Sequence, residues 1–194
     1  MPPQTAILGW GSLLWEGGAE FDRWHDEWRN DGPTLNLEFS RVSNSRLGAL
    51  TLVVDPQNGS PTTVAWCLSR RKDPDDAIAD LRCREGCSIR HIARLPLPTL
   101  PTALPEYEGA AEVVAWAAAQ KLDVVVWTAL TSNFETEVKK PFSTGEAIAY
   151  LKRLSAPAKV KAAEYFWRAP DFVRTPLRRA VESDSWFVQP DAAG

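Results

Sequence analysis

The chain of 194 residues predicts an α+β fold, and three observations carry that reading. Its length suits one domain. Short apolar or alternating runs crowd the first two-thirds. Helical spacing dominates the last third.

Thr5–Trp10 reads as a first strand closed by the Gly11-Ser12 turn. Phe21, Trp24 and Trp28 recur at i, i+3 and i+7, so Phe21–Arg29 is expected to be a short helix. Thr34–Ser43 alternates, with Leu35, Leu37, Phe39, Arg41 and Ser43 on one face and Asn36, Glu38 and Ser40 on the other, the pattern of a half-buried strand. Ala49–Val54 and Thr62–Leu68 are two more strands, and the turn-rich Asp55–Ser60 between them reads as a hairpin loop.

Asp73-Pro74-Asp75-Asp76 is a helix start, with a capping Asp, a first-turn Pro and acids that complement the helix dipole. That helix should end at Gly86. Ser88–Leu95 reads as a strand, and Pro96, Pro98, Pro101 and Pro105 mark a connector. Glu106–Gln120 is expected as a helix, buried or lid-like because it is apolar nearly all round from Ala110. Asp123–Leu130 reads as a buried strand, followed by helices over Thr144–Leu154, Ala158–Trp167 and Pro170–Ser183. The expected domain covers residues 1–188, with 96–121 an insertion and 189–194 a frayed tail.

Composition excludes several classes of function. The net charge of −3 opposes a strongly basic nucleic-acid binder. No apolar run approaches the roughly 20 residues of a membrane helix, and no basic cluster opens a signal peptide, so neither membrane association nor export is expected and cytoplasm is the default. Three cysteines argue against a disulfide framework, and Cys83-x3-Cys87 lacks the spacing and histidines of a metal site. The nine tryptophans leave two explanations open, an aromatic-lined pocket or an aromatic-heavy core.

Three groups of residues carry candidate chemistry. In Gly9-Trp10-Gly11-Ser12-Leu13 a strand runs into a turn whose successive N–H groups suit an anion; the alternative is a plain tight turn. Glu85 shares a helix face with Ile78 and Leu81, so an apolar stripe ends on a carboxylate in the last turn. Burial and the dipole would both raise its pKa, as acid–base work requires; the alternative is a Glu solvated or paired with Arg82 or Arg84. Arg41, on an apolar strand face, needs an anionic partner from either the protein or a ligand. Arg168, Arg174, Arg178 and Arg179 read as a solvated helix face; the alternative is anion binding.

Taken in order, these segments resemble the gamma-glutamylcyclotransferases, especially the ChaC-type, glutathione-degrading branch. Ile7–Trp15 is similar to the family's Tyr-Gly-Ser-Leu loop, and Phe39-Ser40-Arg41 with Ser45–Gly48 resembles its Arg-containing strand and following loop. Thr63–Trp66 resembles its Gly-x-Ala-aromatic strand, Leu81–Gly86 the segment bearing the catalytic Glu, and Val124–Phe134 the strand and Asn-aromatic loop that follow. The resemblance spans roughly 5–95 and 122–155. It implies a small mixed β-barrel flanked by helices and conversion of a gamma-glutamyl amide to 5-oxoproline and a free amine, without cofactor or metal. Glu85 would be the general acid/base, with Trp10, Gly11, Ser12, Leu13 and Arg41 binding a small-molecule substrate. Trp10 replaces the family's usual Tyr, and the segment after Ala156 departs from the family's Tyr-bearing ending, for which Tyr165 or Tyr150 would be the substitute.

Overall fold

The computed structural model describes residues 2–97, 107–184 and 187. Its strands, in chain order, are β1 (Thr5–Gly9), β2 (Thr34–Ser43), β3 (Ala49–Val54), β4 (Ser60–Thr63), β5 (Ala65–Leu68), β6 (Ile92–Pro96) and β7 (Val124–Thr128). Its α-helices are α1 (Pro74–Glu85), α2 (Ala110–Gln120), α3 (Phe134–Val138), α4 (Thr144–Arg153), α5 (Ala156–Arg168) and α6 (Pro176–Glu182). They form two compact units, the first from Met1–Leu35 and Thr63–Leu130, the second from Asn36–Thr62 and Thr131–Gly194. The mixed α+β class is as the sequence predicts, and the strands lie in two sheets.

In the first unit the sheet order is β5-β1-β7-β6. β1 runs parallel to β7 and antiparallel to β5, and β6 pairs antiparallel with β7. All five β1 residues are buried, which accounts for an apolar run without alternation. α1 packs on this sheet, and Ile78 and Leu81 join Ile7, Phe21, Cys67, Ile92, Val124 and Val126 in its core. A fully buried Leu such as Leu81 contributes about 1.5–3 kcal/mol. The helix ends are as the sequence reads. Asp73 accepts the Asp75 N–H at 2.9 Å, and Gly86 closes the helix at φ +60°, where its own N–H and that of Cys87 return to the last carbonyls.

In the second unit β2 is the centre of a sheet ordered β3-β2-β4. Phe39 stacks on Phe166 of α5 with centroids 4.1 Å apart and meets Tyr165 edge-on. Glu38 is also fully buried. Its carboxylate accepts the N–H groups of Phe39 (2.8 Å) and Leu177 (3.2 Å), so it anchors the first turn of α6. Burial pushes its pKa up, and the nearby charge of Asp55 adds to the rise, against the lowering effect of the Thr175, Phe39 and Leu177 hydrogen bonds.

Several sequence expectations are corrected. Phe21–Arg29 is not an α-helix: one 3-10 turn, Phe21–Trp24, is followed by single bridges from His25 to Ser69 and from Arg29 to Trp66. Thr62–Leu68 is not one strand. It divides at Val64, where the Val64 N–H and carbonyl turn to Pro33 and Gly32, and its halves enter different sheets. Asp55–Ser60 is not a hairpin loop, because β3 and β4 lie on opposite sides of β2. Asp55 organises that crossing by accepting the N–H groups of Gln57 and Asn58.

β2 is not half-buried. Glu38 and Ser40 are as buried as Leu37 and Phe39, and a register shift between Glu38 and Arg41 changes the alternation so that Val42 is buried. The start of the expected strand at Ser88 is a 3-10 turn, Ile89–His91. α2 buries only Ala110, Val113 and Ala117, since alanine's small side chain leaves the other faces open to water. Arg178 is no solvated side chain. It is 3% exposed and donates to the carbonyls of Ala169, Pro170 and Val173. The expected tail and residues 98–106 of the expected insertion lie outside the described residues.

Candidate active site

The first unit brings the Gly-Ser-Leu turn and the end of α1 together through one side chain. β1 delivers the chain to Gly9, where an added Cβ would meet the Trp28 ring at 2.9 Å, so only glycine lets the strand pass that indole. Ser12–Leu14 then forms a 3-10 turn, with Leu14 N–H bonded to Gly11 O (3.0 Å) and Glu16 N–H to Ser12 O (2.8 Å). The first N–H groups of such a turn have no acceptor within it and point away from its start.

α1 places Ile78 and Leu81 in the core and brings Glu85 to its rim, with a side chain 19% exposed. Arg84, beside it, is only 8% exposed. Its guanidinium donates to Ser12 O at 2.6 Å, to Glu16 O at 2.7 Å and to Glu85 Oε1 at 2.6 Å. A nearly buried cation needs such partners, because an unpaired one would cost several kcal/mol. One fork thereby sets both the turn and the carboxylate. Sequence reading names Arg84 only as a possible partner of Glu85. Nothing in the spacing reveals its second partner, which lies 72 positions away.

The remaining candidates divide. Gly11 is buried and Ser12 half-buried at the turn, and Leu13 packs against the core of the first unit. Trp10 is 6% exposed, a buried side chain. Arg41 belongs to the second unit, where its guanidinium donates to Thr131 O at 2.7 Å. Burial lowers its pKa and the Glu137 carboxylate opposes that change. Next to it Asn133 accepts the Val42 N–H at 2.7 Å and donates to the Val42 carbonyl at 3.2 Å, filling a ladder position with a side-chain amide. Tyr150 donates to Gly48 O at 2.8 Å, and the Tyr165 hydroxyl accepts the Leu52 N–H at 3.4 Å.

Cys67 is buried, Cys83 exposed and Cys87 half-buried, and burial with the adjacent Glu85 charge pushes the Cys87 thiol up. Among the described residues no group of three or more His, Cys, Asp or Glu side chains is placed to hold a metal ion, and no helix is long and apolar enough to cross a membrane. Compared with protein-family profiles, curated proteins and solved structures, the chain finds no match.

Proposed function

We propose that the chain is a gamma-glutamylcyclotransferase-like enzyme acting on glutathione or another gamma-glutamyl amine. The observation that carries the reading is the shared Arg84 guanidinium, which holds Glu85 beside the Ser12 turn. The α-amine of the substrate attacks its own γ-carbonyl carbon. Glu85 takes the proton lost by that amine and returns it to the leaving nitrogen as the amide C–N bond breaks. The products are 5-oxoproline and a free amine, with atoms and charge balanced. The N–H groups opening the turn at Gly11, Ser12 and Leu13 suit the negative oxygen that develops on the γ-carbonyl. The small mixed β-barrel belongs to the same proposal.

The pairing of Glu85 with Arg84 favours one other reading, a member of the fold that binds the ligand without turning it over. A single experiment separates the two. Incubation with glutathione and a panel of gamma-glutamyl amino acids is expected to release 5-oxoproline, and Glu85→Gln is expected to lower kcat by about 10²–10⁴-fold. Absence of 5-oxoproline with every substrate, or full activity in Glu85→Gln, overturns the enzyme reading. Saturable binding of 5-oxoproline without conversion supports the binding reading.

A further inference from the structure

A concave site lies in the first unit, between one face of α1, the 3-10 turn Ile89–His91 and β6, with Tyr107 on its border. Its volume is about 520 Å³, within the range typical of small-molecule sites. Asp75, Ile78, Ala79 and Arg82 reach it from α1 at i, i+3, i+4 and i+7, so the helix commits a whole face to it. Glu85, Arg84 and the Ser12 turn do not line it.

Two properties of the lining restrict what fits. Its floor is aliphatic, with Ile78 and Ile92 at 7% and 5% exposure, and Ile89 stands at its edge 57% exposed. A large aliphatic side chain held in water beside an apolar cleft gains by contact with an apolar ligand group. Its rim is cationic. Three guanidiniums, those of Arg82, Arg90 and Arg94, face one carboxylate among the described lining residues, and that carboxylate, Asp75, pairs with Arg94 at 2.5 Å. Arg82 and Arg90 remain as excess positive charge on the border of an apolar floor. A guanidinium fork matches an oxyanion, whether carboxylate or phosphate.

We propose that this cleft binds an amphipathic anion, with a carboxylate or phosphate head at Arg82 and Arg90 and an aliphatic tail against Ile78, Ile89 and Ile92. The site stands independently of the cyclotransferase reading, since it shares no residue with that chemistry.

Calorimetric titration of the full chain with octanoate and with octyl phosphate tests it, using acetate, inorganic phosphate and octanol as head-only and tail-only controls. Saturable binding of at least one amphipath, one per chain and at least tenfold tighter than every control, is expected; the preferred amphipath identifies the head. Arg82→Gln with Arg90→Gln is expected to weaken that binding about tenfold or more, and Ile89→Ser several-fold. All three side chains are exposed, so thermal midpoints should stay unchanged and report intact folding. No saturable binding by either amphipath, equal binding of a control, or unchanged affinity in the variants overturns the proposal.

Discussion

Arg84 shows how much a single side chain can organise. It supplies the positive charge at Glu85 and closes two carbonyls of the Ser12 turn, so its loss should be felt at both places. Arg84→Gln is expected to destabilise the chain by about 2–4 kcal/mol, measured by urea unfolding, because two half-buried carbonyls and one carboxylate lose a charged donor. Arg84→Lys should recover only part of this, since an ammonium cannot reproduce the planar fork. Gly9 is a second such position. Gly9→Ala places a methyl 2.9 Å from the Trp28 ring and should cost about 1–3 kcal/mol in the same measurement. The tryptophans separate by neighbour. Trp66 donates to Asp31 Oδ1 and meets Trp116 edge-on, whereas Trp24 lies under the Arg71 guanidinium. Trp10 and Trp127 are buried, so these five describe packing and local polar contacts, not a shared aromatic cage.

At the scale of elements, α1 was the most legible part of the chain because its instructions are local. Asp73, Pro74 and Gly86 act within one turn of their own positions, and each acts as its residue type requires. Asp73→Ala should therefore cost about 1 kcal/mol, and Gly86→Ala a similar amount because φ is +60° there with open space around the Cβ. Both are measurable by thermal unfolding. β2 was less legible for the opposite reason. Alternation predicts two unlike faces, but the register shift and the cover of α5 and α6 residues over Phe39 and Glu38 are decisions of distant chain. Phe21–Arg29 misleads in the same way. Its helical spacing is real, but its backbone groups are claimed by those of Leu68, Trp66 and Arg70, so pairing prevails over periodicity.

At the scale of the molecule, each unit carries its own polar commitments, and those of the second unit set a pH dependence. Glu38 has its pKa raised, so the folded state binds more protons than the unfolded chain above the ordinary carboxylate range. Its stabilising share is present at low pH and is lost as pH rises through the elevated folded value. Glu164 has the opposite sign: the hydrogen bond from Lys161, then the Lys161 and Arg168 charges, lower its pKa, and its support is lost as pH falls. Glu164 is partly exposed, so screening by solvent keeps that share small. The stability difference between Glu38→Gln and the parent, from urea unfolding at pH 4.5, 6 and 8, is therefore expected to shift in favour of the variant as pH rises. A constant difference would show that Glu38 does not titrate in this range.

Sequence alone determined the mixed α+β class, the limits of α1, the strand character of β1, β3 and β7, and the stripe that ends on Glu85. Each rests on side chains acting within a turn or a strand repeat of themselves. Only tertiary structure decided that Thr62–Leu68 divides between two sheets, that Arg84 reaches Ser12, that Arg178 is buried, and that a cleft with an aliphatic floor and an arginine rim forms beside α1. Those outcomes depend on partners far away in sequence. A backbone group or a buried charge takes whichever acceptor the packed chain brings within reach, and residue spacing holds no record of that choice.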